Sequence, residues 1–274
     1  MTILTDMAHW TLGDIPWEKF DRSKVDPEIV RIVKAASLVE QNGGDYTEYL
    51  CGVFRDDPAF IEVARRWGGE EIQHGQALGH WAMLADPTWD HAKAAARFTA
   101  GFRVDIHATE SLRGTRAGEL VSRCIVETGT SSYYSALAEA TEEPVLRAIC
   151  RRIAADEIRH YKLFHRHLEH YAALERLGLW PRLRVALGRI REAEDDELAF
   201  AYHVANGAGP YDRRAAVRAY GAAAARLYRR HHAAQLVRLT LKAVGLARGG
   251  ALERMAEMLA WRMLKRQARL AVLP

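Results

Sequence analysis

The sequence predicts an all-α protein, a four-helix bundle followed by additional C-terminal helices. Apolar residues recur at helical spacing through most of the 274 residues, and only eight of those residues are proline. A helix-start signal, two acidic residues followed by proline, also occurs twice. With 49% hydrophobic and 27% charged residues, the composition is that of a globular protein with enough chain to bury a core.

One stretch of the chain is present in two copies. The first copy reads PAFIEVARRWGGEEIQH from Pro58 to His74, and the second reads PVLRAICRRIAADEIRH from Pro144 to His160, 86 residues later. Acid-acid-Pro starts a helix well, because proline lacks only an N–H that has no partner in the first turn and acidic residues favour the positive helix end. Each copy therefore predicts a helix that carries a Glu and a His three residues apart on one face.

Each half of the bundle also contains a second carboxylate. Glu40 lies 31 residues before Glu71, Glu127 lies 30 before Glu157, and the acid-acid-Pro turn is near the midpoint both times. At 1.5 Å per residue, a helical hairpin carries the chain roughly 22 Å up and back, so the paired residues reach the same level. Two such hairpins packed together would bring six side chains to one point: Glu40, Glu71, His74, Glu127, Glu157 and His160.

Four carboxylates in a bundle core require positive charge. Ionised and unpaired, they would repel one another and lose hydration, which raises their pKa values or unfolds the site. Two divalent iron ions would balance them, with manganese as an alternative, because mixed carboxylate and imidazole ligands suit these metals, whereas thiolate sites select zinc or clusters. The competing interpretation, surface Glu and incidental His on a plain bundle, must attribute the doubled pattern to chance.

The chain divides by composition into three predicted regions. Residues 1–25 read as an extended N-terminal arm anchored by Trp10 and Trp17, 26–175 as the bundle, and 176–274 as a basic helical extension packed on the bundle. We expect bundle helices from Pro27, from Pro58 to about Leu84, from about Thr115 to Ala140 and from Pro144 to about Tyr171, with a connecting helix near 88–103.

Two glycines follow Glu40 on its helical face, where glycine costs helix stability. Gly43 and Gly44 indicate either close approach of a neighbouring helix or space beside the metals, and the sequence leaves both interpretations open.

The C-terminal region is predicted to be helical over 185–205, 211–245 and 249–270. Residues 176–274 carry 19 Lys and Arg against 8 Asp and Glu, a net charge of +11, whereas 1–175 carries 20 against 27, a net of −7. Such a basic face can meet an acidic partner, a membrane surface or nucleic acid, or can simply be solvated.

Targeting signals and disulfide patterns are missing from the sequence. The N-terminus has no basic segment followed by an apolar run, and no stretch approaches 18 uninterrupted apolar residues. The three cysteines are an odd number without metal spacing. We therefore expect a cytoplasmic protein with reduced cysteines and no membrane insertion.

Several motifs resemble the soluble acyl-acyl-carrier-protein desaturases, within the ferritin-like di-iron superfamily. The similar segments are EEIQHG and DEIRH, Leu-Val-Glu-Gln-Asn at 38–42, Glu-Thr-Gly-Thr at 127–130 and WTLGDIPW at 10–17. The resemblance covers about residues 10–170 and implies a ferritin-like bundle with the six residues above as iron ligands. It also implies that Thr130 faces the oxygen-binding side and can relay a proton, or else only bonds back to its own helix.

The same resemblance implies roles around the ligands and beyond them. Asp156 and Trp10 match positions that orient a ligand His and can pass electrons. A ferredoxin-like electron donor and a homodimer are implied, and acyl carrier protein could dock on the arginine-rich tail. The docking residues we predict are Arg213, Arg214, Arg218, Arg229 and Arg230.

The expected function is that of an O2-dependent di-iron oxidoreductase acting on a fatty acyl chain. The tail shows no motif of the family, so a hydroxylase, an N-oxygenase or a peroxide-reducing protein on another substrate is the alternative. A third class, a metal-free scaffold or a nucleic-acid binder, is the one we favour least.

Overall fold

The structure, a computed structural model, describes residues 9–192, 196–207, 209–247 and 249–269. Within these ranges all regular secondary structure is helical, which confirms the predicted all-α class. The α-helices are α1 Pro27–Gln41, α2 Gly43–Val53, α3 Pro58–Ala85, α4 His91–Gly101, α5 Arg116–Ala140, α6 Pro144–Leu174, α7 Leu179–Glu192, α8 Asp196–Asn206, α9 Arg213–Leu227, α10 Arg230–Val244 and α11 Ala251–Arg269. The first eight residues of the predicted arm and the end of the predicted last helix, at residue 270, lie outside the described residues.

The duplicated stretches both begin helices at their proline, as predicted. The carboxylate of Asp57 accepts a hydrogen bond from the Phe60 amide at 3.0 Å, at the start of α3. Glu143 accepts from the Leu146 amide at 2.7 Å in the same way, at the start of α6. An acidic cap followed by proline therefore fixes where both helices begin.

Helices α1, α3, α5 and α6 pack together, with the C-terminal end of α1 at the level of the middle of α3. Contacts between α1 and α3 run in antiparallel order, since α1 pairs first with the end of α3 and then, at Glu40, with its middle. The contacts of α5 with α6 follow the same rule from Ala117 to Thr130. Trp67 of α3 packs against Phe164 of α6, with ring centroids 5.4 Å apart, so the two hairpins share one interior.

The first helix differs from the prediction just after Glu40. We expected it to continue through Gly43 and Gly44, but α1 ends at Gln41 and α2 begins after a break at Asn42. A Cβ atom on Gly43 would lie 2.5 Å from the Cβ of Glu71, whereas one on Gly44 would make only an ordinary 3.7 Å contact. Close helix approach therefore accounts for Gly43 and not for Gly44.

The C-terminal helices lie against the same four helices. Helix α8 packs on α1, and α10 packs on α5. The helix predicted over 211–245 is two helices, separated at Tyr228 and Arg229, because the Arg229 amide donates to the His232 ring at 3.0 Å and this bond caps α10. The predicted first C-terminal helix also starts earlier, at Leu179. The division into three domains stays a prediction.

The described part of the N-terminal arm, residues 9–25, forms three short 3-10 turns that follow the surface of the helices. Trp17 packs edge-on against His80 of α3, with ring centroids 4.4 Å apart. Among the helices described, none combines the length and the apolar character that crossing a bilayer requires.

Candidate metal centre

The six predicted residues come together in the interior. They form two overlapping groups, and within each group one ligand atom per residue lies within 4.8 Å of all the others. One group is Glu40, Glu71, His74 and Glu157, and the other is Glu71, Glu127, Glu157 and His160. Since Glu71 and Glu157 belong to both groups, the arrangement suits two neighbouring cations joined by shared carboxylates.

The atoms that face the centre of the cluster are buried and unpaired. Within the described structure, Oε1 of Glu71, Glu127 and Glu157 and Nδ1 of His74 and His160 have no hydrogen-bond partner. The His160 Nδ1 and Glu71 Oε1 atoms are only 3.0 Å apart, yet their directions do not make a hydrogen bond. Buried polar atoms normally find partners, so five unpaired atoms around one point fit a bound cation. These buried groups could hold metal ions.

Each histidine is oriented by an acid from the other copy of the duplicated stretch. His74 Nε2 lies 3.0 Å from Asp156 Oδ2, and His160 Nε2 lies 2.7 Å from Glu70 Oε2. When Nε2 donates its proton to the carboxylate, Nδ1 keeps a lone pair for a metal. Both imidazoles therefore have a nitrogen available for a metal, Nδ1, that faces the centre of the cluster.

Sequence reasoning singled out Asp156 and missed Glu70. The signal was present in the duplication, because Glu70 precedes Glu71 as Asp156 precedes Glu157. The two acids hold opposite histidines, so their relation appears only when the helices are packed.

The N-terminal arm is connected to His74 through Asp156, because Trp10 and His74 both contact the same carboxylate oxygen. Trp10 Nε1 donates to Asp156 Oδ2 at 2.6 Å, and the Trp10 ring stacks on His74 with centroids 5.9 Å apart. His9 and Arg159 also contact the Asp156 carboxylate. The structure thus brings the predicted pair, Asp156 and Trp10, together beside a cluster histidine.

Thr130 contacts the cluster directly. Its hydroxyl donates to Glu157 Oε2 at 2.7 Å and also lies 3.2 Å from the Val126 carbonyl of its own helix. The placement towards the cluster and the back-bonding alternative are thus both present.

Tyr134, which the sequence analysis did not single out, also contacts the cluster. It lies seven residues after Glu127 on the same helical face, and its hydroxyl donates to Glu40 Oε1.

The carboxylates of the cluster compete for positive charge. Burial, reinforced by the charge of Glu157, raises the pKa of Glu127 to about 8. Burial and the neighbouring carboxylates raise the pKa of Glu71 well above its usual range. For Glu157, burial is outweighed by hydrogen bonds from His160 and His74, so its pKa falls below the usual range.

The two imidazoles respond in the opposite sense to their burial. Burial alone would lower their pKa values, but the carboxylates around them outweigh it and raise the pKa of both His74 and His160. Without a metal, the raised pKa values favour the protonated forms of these imidazoles and of Glu71 and Glu127. A divalent cation that binds there would displace those protons.

A cavity of about 330 Å³ adjoins the cluster. Glu40, Glu71 and Thr130 form part of its wall, and side chains of α8, α9, α10 and α11 form the opposite wall. The helices beyond residue 176 thus enclose a space beside the candidate metal ligands.

The five arginines predicted to bind a partner are exposed and lie elsewhere. They are not among the residues that line the cavity, and Arg229 forms a 3.3 Å ion pair with Glu139. Their docking role stays a prediction.

The chain matches no model of a known protein family, and a search of curated proteins likewise returns no match.

Proposed function

We propose that this protein is an O2-dependent di-iron oxidoreductase of the ferritin-like type, acting on a fatty acyl chain. The observation that carries the proposal is the pair of overlapping groups that share Glu71 and Glu157. Each group offers three carboxylates and one imidazole, a donor set that suits iron, with manganese as an alternative. Two helices contribute a lone Glu and two contribute Glu-x-x-His, as in di-iron bundles.

Charge supports two ions rather than one. Four carboxylates converge, and all of them are buried. A pair of divalent cations supplies four positive charges, which matches the four carboxylates when all are ionised. Glu40, Glu71, His74 and Glu157 would hold one ion, and Glu71, Glu127, Glu157 and His160 would hold the other.

Bound iron supplies the redox chemistry that activates O2 against an unactivated C–H bond, which side chains cannot do. The protein's own contribution is positioning and protection. The cavity places a substrate beside Glu40, Glu71 and Thr130, and its predominantly apolar wall excludes water. The Thr130 hydroxyl, bonded to Glu157 Oε2, can hold or pass a proton at that atom.

Desaturation of an acyl chain balances with O2 and an external reductant. Two hydrogens leave adjacent carbons, and with two further electrons and two protons O2 becomes two waters. A ferredoxin-like donor would supply the electrons. The line of contacts Trp10, Asp156 and His74 runs from the arm to the cluster, and it offers a route for them.

The test is product analysis with reconstituted protein. Iron-loaded protein receives a ferredoxin, its reductase, NADPH, O2 and saturated acyl substrates, and the products are analysed by gas chromatography and mass spectrometry. We expect a new double bond that disappears in Glu127→Gln and persists in Glu62→Gln, a change at an exposed glutamate of α3 outside the cluster. A hydroxylated product would instead support the alternative, hydroxylation at the same centre. Unchanged acyl chains from iron-loaded protein would contradict both.

A further inference from the structure

The cavity beside the cluster contains a second set of polar residues that the proposed oxygen chemistry does not use. Arg123, Arg189, Glu197 and Tyr46 all line it. Arg123 is only 7% exposed, and Arg189 is half-buried. Two guanidinium groups therefore lie at one end of the cavity with Glu197, while the other two carboxylates of the lining, Glu40 and Glu71, belong to the cluster.

These cations are poorly compensated by the protein. Arg123 Nε has no hydrogen-bond partner in the described structure, and its nearest carboxylate oxygen, on Glu119, is 3.9 Å away. Arg189 forms no hydrogen bond or ion pair with any residue that the structure describes. Tyr46 donates to one oxygen of Glu197 at 2.8 Å, and the other oxygen remains unpaired. A buried charge without a partner is costly, so this arrangement favours an anionic ligand.

The electrostatics point in the same direction. Burial, followed by repulsion from Arg123, lowers the pKa of Arg189. Burial raises the pKa of Glu197, which weakens the negative charge that this residue places beside the two arginines. The arginines also lie against aromatic rings, since Arg123 is 5.0 Å from the Tyr46 ring centroid, and this contact leaves the guanidinium edge free to bond.

The arginine end and the metal cluster lie along the same cavity. On α5 the lining runs from Arg123 past Thr130 to Tyr134, roughly 16 Å at 1.5 Å per residue. Tyr46 lies beside Arg123, and Glu40 lies beside Tyr134, so the neighbouring helices repeat this order in reverse. Thr130 therefore lies part-way along the cavity, about two helical turns from Arg123.

We propose that the cavity binds an amphiphilic free carboxylic acid, its carboxylate paired with Arg123 and Arg189 and its hydrocarbon chain passing Thr130 and Glu71. Oxidation of that chain rests on the proposed function, whereas binding of the acid does not. Guanidinium groups bind a carboxylate through paired hydrogen bonds. Glu197 lines the same end of the cavity, and whatever negative charge it keeps repels a phosphate dianion more strongly than a carboxylate monoanion. A thioester on a carrier protein has no charge to place there.

The experiment measures binding to the metal-free protein by titration calorimetry. The probes are octanoate, 1-octanol as its neutral counterpart, and octyl phosphate. We expect octanoate to bind about tenfold or more tightly than octanol, and more tightly than octyl phosphate. Arg189→Gln should remove that advantage and leave octanol binding unchanged. Arg191→Gln, an exposed arginine on the same helix, should leave octanoate binding intact.

The results separate this inference from the proposed function. Equal binding of octanoate and octanol, no octanoate binding, tighter binding of octyl phosphate, or equal effects of the two arginine substitutions would each overturn the inference. Unchanged octanol binding in Arg189→Gln shows that the cavity has kept its fold. Iron content is measured on the same preparations. Octanoate selectivity without iron would support the acid site while contradicting the di-iron proposal, and two irons without selectivity would do the reverse.

Discussion

Glu71 and Glu157 differ from the other ligand candidates because each lies within reach of both groups. Glu40 and Glu127 belong to one group each. Removing a shared carboxylate should therefore disturb two cations, and removing an unshared one should disturb mainly one.

We accordingly predict different iron contents for two conservative variants. Glu157→Gln should retain little iron, whereas Glu127→Gln should retain about one ion per chain, since its partner group keeps all four of its members. Iron analysis after reconstitution and desalting measures the difference. Loss of both ions in Glu127→Gln with full retention in Glu157→Gln would show that Glu157 is not the carboxylate that the two ions share.

Asp156 and Glu70, the acids that orient the two histidines, should also affect metal binding. Asp156→Asn and Glu70→Gln each remove the charge that orients one imidazole, so each should weaken metal binding about 10–100-fold. A competition titration with a chromogenic chelator measures the affinities. Glu62→Gln, at an exposed position of α3 outside the cluster, serves as the control, and an affinity equal to the control in both variants would argue against the crossed arrangement.

Helix α2 lies against α3 with almost no intervening side chain. A Cβ on Gly43 would overlap Glu71, and a Cβ on Gly68 would overlap Thr47. Two glycines on facing helices therefore set the separation at the level of the cluster.

Substituting the first of these glycines tests that close approach. Gly43→Ala should lower the free energy of unfolding by about 1–3 kcal/mol and displace Glu71, because the added methyl overlaps that side chain. Gly44→Ala has room for the methyl and should be neutral or stabilising, since alanine favours helix by about 1 kcal/mol. Urea denaturation compares the two. Equal effects would mean that α2 does not depend on this contact.

Local sequence signals correctly predicted where helices α3 and α6 begin. The two helix breaks that were not predicted depend on contacts made in the packed structure. Asp57 and Glu143 cap the helices that begin at the following prolines, and both capping signals are contained within a few residues. The break at Asn42 depends on α3, which is distant in sequence. The break before α10 depends on His232, the third residue of the helix, which accepts from the amide of the N-cap Arg229 at a position where Glu or Gln is usual.

The candidate site also divides into residues that sequence spacing predicts and residues that only packing brings together. Helical spacing and the duplication were enough to predict all six residues that meet in the interior. The spacing from Glu127 also contained Tyr134, which was overlooked. Arg189 has no fixed spacing to Arg123, because it comes from a different helix that lines the same cavity, so only the packed structure brings the two together.

The whole cluster sets how the stability of the metal-free protein depends on pH. Glu127 has its pKa raised to about 8 from a usual 4.5, and the pKa values of Glu71, His74 and His160 are raised too. A raised folded-state pKa contributes stability that is complete below the unfolded pKa and is lost as pH rises through the folded pKa. The lowered pKa of Glu157 acts only in acid, below its usual 4.5.

We therefore expect the metal-free protein to melt at a lower temperature at pH 8 than at pH 6. Iron or manganese should reduce this dependence, because the metal displaces the protons. Thermal unfolding of chelator-treated and reconstituted protein at both pH values measures the effect, and Glu127→Gln should show a flatter dependence. A melting temperature that rises from pH 6 to pH 8 in the metal-free protein would contradict the assigned charge balance.

In the whole molecule, helices α1, α3, α5 and α6 bring four carboxylates and two imidazoles to one point. The most direct measurement is the iron content of the reconstituted, desalted protein, together with the optical spectrum of its oxidised form. We predict two iron ions per chain, a charge-transfer absorption, and the loss of both in Glu157→Gln. A folded protein that binds no iron, or whose iron content Glu157→Gln leaves unchanged, would contradict the central claim.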